Sequence, residues 1–503
     1  MNYENRKNNS SSYDLLHESA NIFEDEPEHS LVGRKAWKSA SRAAKHMSKH
    51  SKIVNPTLEK QIPRLLCEEI VIGKLLGTGG FNNVYALDAI QLVTEPLKSE
   101  LARKICSETQ QLHRTFVAKH THRESSGDKR YAIKFLSQET VDDPERFCTG
   151  AADLVVEAKF LASLEHPNII KLRGMAAAGT SGFASCNAMG YFLLLDGLLC
   201  TLENRLMEWK DQATKMSSNV QRNIFDRGGK KRSGFLADRL HVSFDVASAL
   251  QYLHANNIIC KSISHQNLLR VLCITNLTNE YIWLFSFSDR DLKPDNIGFD
   301  IRGDVKLFDF GLAKELDDTM KSGYSSDFYE LSGNTGSLRY MAPEVALSEP
   351  YNLTADVYSF GLLLWQVCSL EVPYDGMSRQ EHSTHVVKGS ERPTLNPAWS
   401  TSVRILMKRS WEPNPSIRPS MDAIYKILKR EITALRDGDD TGLENIRRRS
   451  TFVLNKDSVA NPNRRVLPRQ FSQKDVASQG GRRTLMEKVL EQPPSCQRQA
   501  TAA

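Results

Sequence analysis

Residues 290–296 read RDLKPDN, and residues 308–311 read FDFG. The first run sets a carboxylate, Asp291, ahead of a carboxamide, Asn296, with Lys293 between them. The second adds another carboxylate, Asp309, close to Gly311, a residue that can take backbone angles closed to others. Phosphoryl transfer from a nucleotide needs such a set. One carboxylate orients the attacking hydroxyl, and an amide plus a carboxylate hold Mg²⁺ on the phosphates.

Upstream, LGTGGFNNVY at 76–85 gathers Gly77, Thr78, Gly79 and Gly80, followed by Phe81 and Val84. Glycines in such a turn let backbone N–H groups approach phosphates. YAIKFL at 131–136 brings Ala132 and Lys134, and DLVVEAKFLASLEHPNII at 153–170 brings Glu157. In that run Leu154, Phe160, Leu161 and Leu164 share a helical face, so Glu157 is expected to project toward the interior. Downstream come RYMAPEV at 339–345, ADVYSFG at 355–361 and PSIRPSM at 415–421.

In this order the runs resemble the signature set of the eukaryotic protein kinases. The resemblance implies an α+β, bilobal kinase domain over 68–434. Its small lobe, 68–196, would be a twisted antiparallel sheet with one helix, and its large lobe, 197–434, mostly helical. ATP and Mg²⁺ follow as cofactors and proteins as substrates. Asp291 would orient the substrate hydroxyl and Lys293 stabilise the transferring charge, while Lys134, fixed by Glu157, would position the α- and β-phosphates. Asn296 and Asp309 would hold the metal. Gly77, Thr78, Gly79, Gly80, Phe81, Val84 and Ala132 would line the nucleotide. YFLLLD at 191–196 resembles the strand leading to the hinge, which makes Leu195 the gatekeeper and Asp196 to Leu198 the hinge. Glu344, Asp356 and Arg418 match residues that are structural in the family. Asn82 stands where a third glycine is usual.

Lys293 follows the serine/threonine pattern, with Ser337 in place of the usual threonine, whereas DVYSFGLLLWQV and RSWEPNPSIRPSM resemble the tyrosine-kinase-like group. The expectation is a tyrosine-kinase-like serine/threonine kinase, with dual specificity as an alternative. Arg290 resembles the arginine that receives an activation-segment phosphate, for which Ser322, Tyr324, Ser325, Ser326, Tyr329, Ser332 and Thr335 are candidates.

One departure stands out. In the family, LQYLHANNII, ending here at Ile259, runs straight into the catalytic triplet, but in this chain residues 260–289 intervene. Cys260-Lys261-Ser262 can be encoded with GTAAGT, a strong splice donor. The stretch ending at Ser288-Asp289 can be encoded as a pyrimidine-rich tract closing in CAG. Excision between them keeps the reading frame and rejoins the chain as NNIIYRDLKPDN. Residues 260–289 are therefore read as a translated retained intron, the alternative being a genuine surface insertion. A catalytically impaired kinase-fold scaffold is the rival function for the chain as written.

The flanks, 1–67 and 435–503, are polar, and the second is basic around Arg447-Arg448-Arg449; both read as disordered. Two further insertions, between Tyr85 and Tyr131 and between Leu206 and Phe235, read as polar surface loops. A formal net charge of +6 over 503 residues argues little for nucleic acid. No apolar run is long enough to span a bilayer, and Met1 is followed by Asn2 in place of the glycine that myristoylation requires. The chain is therefore expected in the cytoplasm, with nuclear entry as an alternative, and without membrane insertion. Nine cysteines lack metal-ligand spacing and read as reduced thiols.

Overall fold

The computed structural model describes residues 28–93, 107–121, 129–218, 230–260, 292–310, 313–323, 325–331, 333 and 338–436. The first lobe is built on six strands: β1 Arg64–Leu65, β2 Ile70–Thr78, β3 Asn82–Ile90, β4 Tyr131–Leu136, β5 Leu172–Ala176 and β6 Phe192–Asp196. Their order across the sheet is β1-β5-β6-β4-β3-β2. The β-branched and aromatic residues of YAIKFL suit a central strand, and β4 is buried at every position. Its register places Lys134 between Val84 of β3 and Leu193 of β6. The expected antiparallel sheet holds for five strands; β1 is an exception and pairs with β5 in parallel.

Five helices accompany the sheet: α1 Glu28–His50, α2 Pro56–Gln61, α3 Glu108–Lys119, α4 Gln138–Asp142 and α5 Pro144–Ser163. The start of α5 is fixed by Asp143, whose carboxylate accepts the N–H groups of Glu145 and Arg146, and by Pro144 in the first turn. The expectation of disorder up to residue 67 fails over 28–66. There α1 buries Ala36, Ala40 and Ala43 against the lobe, α2 is capped by Asn55, and β1 joins the sheet. Residues 1–27 and 437–503 lie outside the described residues. The loop expected after Tyr85 is also partly folded: α3, capped by Ser107, buries Gln110, Arg114 and Val117. Arg114 pairs with Glu69, a fully buried carboxylate that also accepts the N–H groups of Leu66 and Val93. A buried charge left unpaired costs about 3–5 kcal/mol, so the insertion carries part of the lobe's stability.

Gly197 separates β6 from β7, Leu198–Thr201, which pairs with β9, Ile297–Asp300, and through it with β10, Val305–Leu307. The chain thus leaves the first lobe at Asp196–Leu198. The second lobe is helical: α6 Leu202–Ser218, α7 Lys230–Ala255, α8 Pro343–Ala346, α9 Thr354–Ser369, α10 Thr401–Ser410 and α11 Met421–Leu435. α9 is buried at every position from Ala355 to Cys368, and its buried polar side chains, Asp356, Ser359 and Gln366, each find a hydrogen-bond partner. The insertion after Leu206 is taken up in part by the ends of α6 and α7. Short strands complete the lobe: β8 Ile258–Ile259 pairs with β11 Lys314–Glu315, and β12 Lys321–Ser322 with β13 Ser325–Tyr329.

Candidate active site

β2 and β3 meet in a tight turn, where the Gly79 N–H donates to the Asn82 carbonyl at 2.7 Å. A Cβ added at Gly77 would meet nothing within 4 Å, so the face of this turn is open. Phe81 points the other way and is buried. Arg146, in the first turns of α5, donates to the Gly80 carbonyl and stacks 5.5 Å from the Phe81 ring. The tip of the turn is therefore fastened to α5. The sequence reading missed Arg146, although its place two residues after Pro144, behind the capping Asp143, was visible.

Below the turn, Lys134 Nζ donates to both carboxylate oxygens of Glu157, at 2.9 and 2.7 Å, and to Asp309 Oδ1 at 3.0 Å. Lys134 and Glu157 are buried. Asp309 reaches the lysine from a left-handed backbone, φ 71°, a conformation that costs a non-glycine residue about 1–2 kcal/mol. Asn296 closes a short turn, Pro294–Asn296, and its carbonyl accepts the Phe308 N–H at 3.1 Å. That bond sets Asn296 against the strand end that leads into Asp309. Asn296 and Asp309 are thus brought together, and both supply oxygen donors.

Ala132 lies opposite Leu195 in the sheet, both buried, and Leu198 follows at the lobe crossing. The Arg173 guanidinium donates to the Asp196 carboxylate at 2.6 Å, which pins the crossing to β5. On the other side, Lys293 Nζ sits 3.8 Å from Asp295 Oδ2. A hydrogen bond between the Glu203 and Asp295 carboxyls, with some burial, pushes Glu203 up to about 7. Asp291, Arg290, Gly311 and Ser337 lie outside the described residues, as do 261–289.

The supports of the site are well defined. Asp356, buried on α9, accepts the Cys260 N–H at 3.0 Å and meets His254 Nε2 at the same distance. Burial raises the Asp356 carboxyl, and the histidine partly offsets this. Arg418 grips Glu344 with its two terminal guanidinium nitrogens, at 2.5 and 2.9 Å. Of the candidate phosphate acceptors, Ser322 is buried and Tyr329 exchanges backbone hydrogen bonds with Tyr351; Tyr324, Ser332 and Thr335 lie outside the described residues. Among the described residues no helix is long and apolar enough to cross a membrane. Nor do three or more His, Cys, Asp or Glu side chains gather as a metal cluster among them.

A profile of the protein tyrosine and serine/threonine kinase family matches residues 70–428. The serine/threonine/tyrosine-protein kinase HT1 of Arabidopsis thaliana is 32% identical over 177 residues, 35% of this chain and 43% of that protein. The serine/threonine-protein kinase STY17 of the same plant is 29% identical over 218 residues, 43% of this chain and 31% of that protein. The dual specificity protein kinase shkB of Dictyostelium discoideum is 37% identical over 150 residues, 29% of this chain and 22% of that protein. The matched stretches therefore span less than half the length of these relatives.

Proposed function

The chain belongs to the protein tyrosine and serine/threonine kinase family, and from that membership we propose that it transfers the γ-phosphate of ATP to serine and threonine hydroxyls of proteins. The observation that carries the reading is Lys134 held between Glu157 and Asp309. A lysine fixed by one carboxylate from a helix, beside a second at the cleft, is a ready-made cradle for the α- and β-phosphates.

In this reading Asp291 accepts the proton of the substrate hydroxyl as its oxygen attacks the γ-phosphorus and the bond to the β-phosphate oxygen breaks. Lys293 faces the transferring group and offsets its charge. The open turn at Gly77 to Gly80 covers the phosphates, while Thr78, Phe81 and Val84 shape it. Ala132, Leu195, Asp196 and Leu198 form the slot for the base. One carboxylate and one carboxamide oxygen, at Asp309 and Asn296, suit Mg²⁺, a hard cation that keeps water and substrate phosphates in its other positions. The chemistry that ion supplies when bound is neutralisation of phosphate charge. The domain proposed for this work is 68–434, with residues 28–67 as a folded addition to it.

A second reading, dual specificity, is favoured by the names of two relatives: HT1 as a serine/threonine/tyrosine kinase and shkB as a dual specificity kinase. Asp291→Asn tests the proposal. Phosphate incorporation into a generic protein substrate should fall at least about a thousand-fold, and phosphoamino-acid analysis of the unsubstituted product separates serine/threonine from tyrosine transfer. Unchanged incorporation would remove Asp291 from its role. No incorporation by the unsubstituted chain, with activity restored when Tyr replaces 260–289, would make the chain as written the scaffold.

A further inference from the structure

The two carboxylates that flank Lys134 ride on different elements. Glu157 is carried by α5, and Asp309 lies just ahead of β11. One segment, residues 28–62, is fastened to both. Along α5 it presents α1, whose Ala36 and Ala40 are fully buried. α1 also packs closely on a second element, the short turn Gly179–Ser185 and Cys186 after it: a Cβ at Gly33 would stand 2.5 Å from the Ala184 carbonyl oxygen and 2.8 Å from Cys186 Sγ. Ser41 and Thr180 hydroxyls bond at 3.0 Å.

Past α1 the segment turns and grips β11. Ser51 Oγ donates to Glu315 Oε2 at 2.5 Å, and the Lys52 N–H donates to Glu315 Oε1 at 2.9 Å. The same Ser51 hydroxyl accepts the N–H groups of Ile53 and Val54, which fixes the turn. The chain then returns to α5. The Asn55 N–H donates to Ser163 Oγ at 2.9 Å, and Lys159 Nζ donates to Glu59 Oε2 at 2.6 Å and to Ser48 Oγ at 3.2 Å. Lys159 lies two residues after Glu157, on another face of α5. One ion pair therefore holds α5 from the sheet side and a second holds it from outside. The far end of the segment is secured by α3, where Gln110 Nε2 donates to the Lys60 and Ile62 carbonyls at 2.9 and 3.0 Å.

We propose that residues 28–62 are a strap that positions α5 and β11 together, with Glu59, Lys159, Ser51 and Glu315 as positioning residues for the Lys134–Glu157–Asp309 cluster. With the strap seated, Glu157 and Asp309 are both within reach of one lysine. With it lifted, α5 is free to swing from β4 and the phosphate cradle opens. The site is then under the control of a segment that precedes the kinase domain. This rests on the phosphotransfer reading only for its MgATP readout.

The test uses the full chain and four variants: Glu59→Lys, Lys159→Glu, both together, and Gly33→Leu. MgATP affinity, melting temperature and backbone hydrogen exchange at 144–163 and 313–316 are measured for each. Glu59→Lys and Gly33→Leu should weaken MgATP about ten-fold and speed exchange in both stretches, Gly33→Leu with a lower melting temperature because of the clash it creates and Glu59→Lys with the melting temperature little changed. The double charge swap should restore affinity to within about three-fold of the original. Unchanged affinity and exchange in Glu59→Lys and Gly33→Leu would overturn the proposal. So would a loss in Glu59→Lys that follows the melting temperature and is not recovered by the swap, since that marks a merely structural contact. If the unsubstituted chain binds no MgATP, the phosphotransfer reading falls, while exchange at 144–163 and 313–316 still decides for or against the strap.

Discussion

Lys134–Glu157 and Arg418–Glu344 are both ion pairs closed off from solvent, one in each lobe, with closest approaches of 2.7 and 2.5 Å. Their surroundings differ. Arg418 spends its remaining donors on the carbonyls of Glu412, Thr354 and Pro413 and lies 5.2 Å from the Tyr358 ring. It is a planar fork used to capacity, and the parts it joins are fixed by it. Lys134 is a point charge shared between carboxylates on two separate elements. Its geometry is set by where α5 and Asp309 stand. A buried pair that closes on itself marks a joint, and one that divides its charge between two elements marks a site.

Conservative exchanges should separate the two. Lys134→Arg keeps the charge but not its compact shape, so phosphate transfer should fall about a hundred-fold or more, with a melting temperature close to the original. A steady-state assay beside a thermal melt checks this, and collapse of the fold would erase the distinction. Arg418→Lys should do the reverse. It loses the fork and leaves Glu344 half-satisfied, at a cost of about 3 kcal/mol in urea unfolding. The rate per folded molecule should stay within about two-fold of the original. A rate that fell with unchanged stability would put Arg418 on the wrong side of the comparison.

His166 sharpens the contrast because it has to stay neutral. Its Nδ1 accepts the Asn168 N–H at 3.1 Å, and Nε2 lies 3.3 Å from Ser248 Oγ. Burial, aided by the Lys306 charge, pushes the ring down to about 4 from 6.5. Between those values the unfolded chain takes up a proton that the folded chain refuses. Stability should therefore fall as pH drops from about 6.5 toward 4, by about 2 kcal/mol. Urea unfolding at several pH values should show this slope, and His166→Asn should flatten it.

The residues gathered around Lys134 could be read because the proposed chemistry restricts their types: Lys134, Glu157, Asn296 and Asp309 would have few substitutes in it, and their runs keep a fixed order. The strap could not be read in the same way. Its buried face is Gly33, Ala36, Ala40 and Ala43, a helical spacing written in residues of little hydropathy. A buried methyl contributes about 0.8 kcal/mol, against as much as about 3 kcal/mol for a leucine. Surrounded by Arg34, Lys35, Lys38 and Lys45, that spacing looks like a solvated polar stretch. α3 hid for a related reason, since two of its buried residues, Gln110 and Arg114, are polar and find partners only through the fold. The edge strand β1, two residues long, is too short to leave a pattern.

The hydrogen bond from the Cys260 N–H to Asp356 has a further consequence. It moors the chain on one side of residues 261–291, where β8 is also tied to β11. On the other side the moorings are separate: Asn296 closes its own turn, and β9 lies between β7 and β10. Each bank is held by partners among the described residues. Closing a longer span between fixed banks costs only about 0.6 kcal/mol for each doubling of length. In the language of protein engineering, this position is a splice port: a place where length can be added to the chain while the moorings on either side stay in place.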